Sequence, residues 1–307
     1  MSAASVPFSN YTPPSSPETL AARSISDDTP PSSPEPPASI PTVKACIFDV
    51  DGLLINTEDL LSNCLDTILV KYGRPPLPWS VKASIQGTTP EKGRAIFRDW
   101  AKLPISRSEF QQHMSELQRR LFPTAEILPG AEDLLNWLVD RGVDVALATS
   151  SNRDKFELKT RHLSWFFDDL FKEDCRVLGD DVEKHKPEPD AFLRALECVN
   201  KRNGRARAEQ IGAEECLVFE DSIPGVEAAI RAGMQVVWCP GPGLVEAVVE
   251  GEVGDDVEEE ICRVLGLKRG VLGKLAGKEE LRQRIWAATD GRVKLVFSLE
   301  DFRMGSV

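Results

Sequence analysis

The chain contains no apolar run of about 18 residues, the length a bilayer-spanning helix needs, so no membrane partner is expected. It also lacks any CxxC pair. Its seven cysteines (46, 64, 175, 198, 216, 239 and 262) are odd in number and scattered. Most sit inside apolar runs such as Cys46-Ile47-Phe48, which reads as buried free thiols in a reducing compartment. Only three histidines occur, His113, His162 and His185, too dispersed to suggest a zinc site. Basic residues are in deficit: 37 Lys and Arg stand against 49 Asp and Glu, a net charge of −12. That balance argues against nucleic acid as a partner. No GxGxxG follows a strand, and Gly241-Pro242-Gly243 reads as a turn. The acidic run from Glu252 to Glu260 lacks Ca²⁺-loop spacing. At the N-terminus there is no charged-then-apolar leader, and the first positive charge is Arg23. The expected location is cytoplasmic.

What is present is a globular composition, 41% hydrophobic and 28% charged, over 307 residues. Residues 1–41 stand apart. Thr12-Pro13-Pro14-Ser15-Ser16-Pro17 and Pro30-Pro31-Ser32-Ser33-Pro34 offer almost nothing to bury, so a disordered Pro/Ser-rich arm is expected there. The run 43–48 reads as a buried strand ending in Asp49-Val50-Asp51-Gly52. From 57 to 129 the pattern is helical. Leu60, Leu61, Cys64, Leu65 and Ile68 recur at three- and four-residue steps, and further helices fit 80–86, 90–101 and 107–120.

After Pro129-Gly130 helices alternate with strands. The helix over 131–141 precedes the strand 143–148, and helices over 152–164, 187–201 and 224–232 interleave with strands 216–219 and 234–238. Such alternation predicts βαβ units and a Rossmann-like parallel sheet. The expected architecture is an α/β core over 42–56 and 130–307, an α-helical cap over 57–129, and an added helical segment near 245–295. In open sheets of this kind the site lies at the carboxyl ends of the strands.

Four elements occupy such positions: Asp49 and Asp51; Thr149-Ser150-Ser151-Asn152; Lys186-Pro187-Glu188-Pro189-Asp190; and Glu220-Asp221-Ser222. Singly, each also fits a structural role as a turn, a helix cap or a solvated lysine. Together they can converge on one sheet edge. There, Asp49, Asp51 and Asp221 supply the oxygen ligands that Mg²⁺ prefers, while a lysine and hydroxyls neutralise phosphoryl oxygens.

In kind and in order, the four elements resemble the four motifs of the haloacid dehalogenase (HAD) superfamily of phosphohydrolases. Phe48-Asp49-Val50-Asp51-Gly52-Leu53-Leu54 is similar to the first motif and Asn56-Thr57-Glu58 to its extension. Thr149 matches the second, Lys186 the third and Glu220-Asp221 the fourth. The resemblance implies a two-step reaction, with Asp49 as nucleophile and Asp51 as acid and then base. It implies Mg²⁺ held by the Asp49 carboxylate, the Asp51 backbone carbonyl and Asp221, with Glu220 as ligand or support. Thr149, Ser150 and Lys186 would hold the phosphoryl group. The insert resembles a type 1 cap, with Asn56 and Glu58 near its hinge and Gln86, Gly87 and Thr88 in a substrate-contacting loop.

Within the superfamily, Leu158-Lys159-Thr160-Arg161-His162, Leu178-Gly179-Asp180-Asp181 and Cys216-Leu217-Val218-Phe219-Glu220-Asp221 are similar to the pseudouridine 5′-phosphatase subgroup. The chain departs from that subgroup in its long N-terminal arm, a shorter loop before Lys186, and the segment near 245–295. The expected substrate is a small phosphorylated metabolite, a nucleoside monophosphate such as pseudouridine 5′-phosphate, acted on by a monomer. Sugar or polyol phosphates, a β-phosphoglucomutase-like phosphomutase, and a catalytically silent binding protein are the alternatives.

Overall fold

β1 (Ala45–Phe48) is apolar at every position because both of its faces are covered. Ala45 and Ile47 join one hydrophobic layer, Cys46 and Phe48 the other, the two-residue alternation of a strand. The computed structural model describes residues 42–85, 90–272 and 275–302. The expected arm, 1–41, lies outside these.

Five more strands join β1: β2 (Asp144–Ala148), β3 (Arg176–Val177), β4 (Cys216–Glu220), β5 (Gln235–Trp238) and β6 (Val293–Leu295). They form one sheet in the order β3-β2-β1-β4-β5-β6, every pair parallel. The chain therefore runs outward from β1 to β3, then returns to build the other half from β4. Its order reverses between β1 and β4, which opens a crevice at their carboxyl ends. Phe48 stacks on Phe219 across that junction, centroids 4.5 Å apart and rings 3° from parallel. Burying one such ring contributes about 1.5–3 kcal/mol.

Between β1 and β2 lie α1 (Thr57–Lys71), α2 (Trp79–Ile85), α3 (Pro90–Ala101), α4 (Arg107–Leu121) and α5 (Ala131–Asp140). The first four form the insert, with no strand among the described residues of 57–121. Their own core is small: Leu65, Leu69, Phe97 and Ala101, flanked by Phe110 and Met114. α4 buries no residue at all. It starts well nonetheless, because Ser106 and Glu109 form a reciprocal capping box. The two connections to the sheet run side by side. Ile55 bridges Ile127, Asn56 N–H donates to the Glu126 carbonyl (3.0 Å), and Leu128 N–H donates to the Leu54 carbonyl (2.9 Å).

The rest of the chain supplies α6 (Arg153–Thr160), α7 (Ser164–Leu170), α8 (Asp190–Arg202), α9 (Ile223–Arg231), α10 (Pro242–Glu250), α11 (Asp255–Leu265) and α12 (Lys278–Ala288). The helix expected over 152–164 is broken by a 3₁₀ turn at Arg161–Leu163. The one expected over 187–201 begins only at Asp190, beyond Pro187 and Pro189, which donate no N–H to a ladder. β3 and β6 were not foreseen, since two or three residues carry too little periodicity. The added segment near 245–295 is thus helical only as far as Ala288, and its end completes the sheet as β6. It is also tied inward: Arg263 of α11 grips the buried Glu227 of α9 through its two terminal guanidinium nitrogens, at 2.8 and 2.6 Å. On its outer side it meets the insert. The Trp79 indole packs on Gly243 at the start of α10, and Ser84 Oγ lies 3.2 Å from Asp256 Oδ2. All seven cysteines are free thiols and five are buried.

Candidate active site

The ends of β1, β2 and β4 and the loop after β3 deliver the groups of the crevice. Past β1, Asp49 N–H still donates to the Phe219 carbonyl (3.0 Å), so the ladder pins this residue beside the end of β4. Glu220 is the last residue of β4 and Asp221 the next. The Asp221 carbonyl accepts from the Trp238 indole N–H at 2.9 Å, holding that turn against β5. Lys186 arrives from the loop after β3 and is buried between acids. Its ammonium donates to Asp49 Oδ1 at 2.5 Å, to Glu220 Oε1, and to the Ala148 carbonyl at 3.2 Å.

Glu220 is wholly buried and fully engaged. Its second oxygen accepts from Ser222 N–H (2.8 Å) and Ser222 Oγ (3.0 Å). A Cβ at Gly225 would fall 1.9 Å from Glu220 Oε1, so only glycine lets α9 begin this close to the acid. Oxygens of Asp49, Glu220 and Asp221 all lie within 4.8 Å of one another. Three carboxylates at that spacing form a hard-oxygen set that fits Mg²⁺.

Charge balance decides the state of these groups. Burial first, then Glu220 and Asp51, push the Asp49 carboxyl up to about 7, against the pull of Lys186. Desolvation opposes the Lys186 ammonium, but Asp49 and Glu220 outweigh it and hold it charged.

Asp51 is built differently. Its side chain turns away from the acid cluster and receives four donors. Thr57 Oγ1 (2.5 Å) and Lys159 Nζ (2.5 Å) reach Oδ1, while Ser151 Oγ (2.8 Å) and Thr149 Oγ1 (3.3 Å) reach Oδ2. Burial alone would raise this carboxyl, but Lys159, Thr57 and Ser151 hold it down at about 2.

Of the residues expected from sequence, Asp49, Asp51, Thr149, Lys186, Glu220 and Asp221 meet at one sheet edge. Ser150 does not: its side chain is exposed, and the neighbouring hydroxyl, Ser151, faces inward. Asn56 stands at the hinge, its Oδ1 accepting from Glu126 N–H at 2.9 Å. Glu58 lies at the site's rim. Burial and then Asp51 push its carboxyl to about 7, opposed by Lys82 and Lys159. Gln86, Gly87 and Thr88 lie outside the described residues. Sequence reading missed Thr57, Ser151 and Lys159 as partners of Asp51. One signal for Lys159 was available: it stands three residues after Phe156 on the buried stripe of α6, where a lysine has no reason to be unless paired.

Gly52 explains how closely Asp221 and Glu58 pack on the turn after β1. Its φ is +82°, and a Cβ there would fall 2.3 Å from Asp221 Oδ2 and 2.8 Å from Glu58 Cγ. Gly52→Ala is expected to lose about 1–2 kcal/mol to backbone strain and to displace Asp221. A Mg²⁺ titration followed by thermal shift should show weakened binding; parent-like binding would show that Asp221 does not need this approach.

The sequence pattern of the haloacid dehalogenase-like hydrolase family matches residues 46–239. The chain belongs to that family, and it is an enzyme of the phosphoric monoester hydrolase class. A Saccharomyces cerevisiae protein named "Probable pseudouridine-5'-phosphatase" is 42% identical over 221 residues, 68% of this chain and 90% of that protein. An Arabidopsis thaliana (DL)-glycerol-3-phosphatase is 33% identical over 201 residues, 64% of this chain and 80% of its own length. Among solved structures, a HAD family hydrolase from Deinococcus radiodurans with bound phosphate and sodium aligns with a TM-score of 0.54 at 22% identity. That alignment covers 80% of this chain and 96% of the other, and speaks for the fold. No described helix is long and apolar enough to cross a membrane.

Proposed function

We propose that the protein hydrolyses a small organic phosphomonoester in two steps at Asp49 and Asp51, with Mg²⁺ held by Asp49, Asp221 and the Asp51 backbone carbonyl, and Glu220 behind them. The observation that carries this reading is the Asp49 carboxylate, buried against Lys186 and grouped with Glu220 and Asp221 within 4.8 Å. In the first step an Asp49 oxygen bonds to phosphorus as the ester P–O bond breaks, and the leaving oxygen takes a proton from Asp51. Asp51 starts as a carboxylate, so that proton arrives on the monoanionic ester. In the second step Asp51 takes a proton from water as the water oxygen attacks phosphorus. The bond to Asp49 then breaks, and inorganic phosphate leaves. When bound, Mg²⁺ supplies Lewis-acid neutralisation of the phosphoryl oxygens. Lys186 and Thr149 add positive charge and a donor on the same side. Glu220, saturated by Lys186 and Ser222, supports this set more than it coordinates.

For substrate we propose a nucleoside monophosphate such as pseudouridine 5′-phosphate, on the strength of the 42% identity to the yeast protein of that name. A polyol phosphate is the second reading, favoured by the 33% identity to the glycerol-3-phosphatase. The helices of 57–129 would act as a cap that excludes water, and Gln86, Gly87 and Thr88 would touch the substrate. A cytoplasmic monomer belongs to the same proposal, the location resting on seven free thiols.

The test is phosphate release by the purified chain from nucleotides, sugar phosphates and polyol phosphates, with Mg²⁺ and with chelator. Release that needs Mg²⁺ and favours pseudouridine 5′-phosphate is the expected result. Release indifferent to chelator would overturn the metal assignment. Conversion of a hexose 1-phosphate to its 6-phosphate without free phosphate would make the protein a mutase instead.

A further inference from the structure

The reaction described above gives no task to Lys159. This lysine is buried on α6, 108 residues from Asp51 in sequence, yet its ammonium lies 2.5 Å from Asp51 Oδ1 and 2.6 Å from Ser151 Oγ. Its ammonium also lies over the Phe122 ring, with Nζ 5.4 Å from the centroid. Burying an ammonium is costly unless pairing offsets it, so the position is tolerated only because of these contacts. Lys186 cannot substitute for it, since that lysine contacts Asp49 and Glu220. The two aspartates therefore have separate cations.

The geometry at Asp51 shows what a separate cation achieves. The terminal torsion of an aspartate is broad and intrinsically weakly held. Here both oxygens are anchored: Oδ1 by Lys159 and Thr57, Oδ2 by Ser151 and Thr149. Ser151 and Lys159 also bond each other, so the turn after β2 and helix α6 present a preformed two-point clamp. We propose that Lys159, with Ser151, is a positioning residue that fixes the orientation of the Asp51 carboxylate and thereby governs proton transfer to the leaving oxygen. The inference rests on Asp51 being the acid/base proposed above.

Leaving-group dependence separates this role from a merely structural one. An alkyl phosphate needs its leaving oxygen protonated, whereas p-nitrophenyl phosphate expels a stable anion with little help. The value of kcat/KM reports the transfer to Asp49 alone, because it covers steps only up to release of the alcohol. In the full chain with Mg²⁺, Lys159→Met is expected to lower kcat/KM for glycerol phosphate or a nucleoside 5′-monophosphate by about tenfold to a hundredfold, part of the roughly 10²–10⁴ that positioned proton transfer provides. The value for p-nitrophenyl phosphate should change less than about threefold on the same grounds. Ser151→Ala should show the same selective loss to a smaller degree, and it carries the test if Lys159→Met does not fold. An equal fall on both substrates, or none, with Asp51→Asn still discriminating between them, overturns the inference. If Asp51→Asn itself fails to discriminate, the acid/base reading of Asp51 falls first and the role of Lys159 with it.

Discussion

Asp49→Asn is expected to reduce Mg²⁺-dependent phosphate release by roughly four orders of magnitude or more, the scale seen when a nucleophile is removed. An amide nitrogen or carbonyl in that position cannot form the phosphoryl bond, although its size and shape are nearly unchanged. The fold should survive. Burial, with Glu220 and Asp51, already pushes this carboxyl to about 7 against Lys186, so the substitution removes a charge that the fold tolerates poorly. Lys186 keeps Glu220 as its partner. The melting temperature should therefore stay close to the parent's. Acid quenching during turnover of p-nitrophenyl phosphate gives the sharper result: phosphorylated protein from Asp51→Asn, and none from Asp49→Asn. Recovery of phosphorylated Asp49→Asn, or parent-like turnover, would remove Asp49 as nucleophile.

The second large effect is on stability. Lys186→Met leaves Asp49 and Glu220 facing each other in a buried site, and breaking such a pair costs about 3–5 kcal/mol. At about 2–4 °C per kcal/mol for a chain of this size, the melting temperature should fall by roughly 6–20 °C. The loss should also depend on pH, with a definite sign. Lys186 is held charged above its usual range, so its contribution is fully present at neutral pH and is lost only in strong alkali. Asp49 behaves oppositely to a salt-bridged acid. Its folded value is raised from 3.8 to about 7, so its effect on stability is most favourable below about 4 and worsens as pH rises toward 7. Without Lys186 that carboxyl rises further, and the deficit of the variant should be larger at pH 8 than at pH 5. Chemical denaturation in chelator at the two values measures it. An equal deficit at both would show that the acids are not what Lys186 neutralises.

Much of this was legible in the chain itself. Asp49-Val50-Asp51-Gly52 closes a run that is apolar on both alternating faces, and Glu220-Asp221 closes another, so a strand followed by acids was visible twice. Alternation of helical and strand patterns announced the parallel sheet. Other features had no local signature. β3 is two residues long, and β6 is recognisable only because β5 lies beside it. Ser150 and Ser151 are chemically identical neighbours, and only the backbone path after β2 turns Ser151 toward Asp51 and Ser150 toward water.

The division follows from range. Hydrophobic period, turn residues and strand-end chemistry are written within windows of ten or so residues, and they determined the α/β class, the sheet edge and the two aspartates. Pairings across a hundred residues depend on register and on how layers cross, which no window contains. Tertiary structure alone decided that Lys186 serves Asp49 and Glu220 while Lys159 and Ser151 serve Asp51. It alone turned the end of an apparently helical segment into the sixth strand. The two acids at the end of β1 are two residues apart, and the packing around them gives each its own cation and its own protonation state.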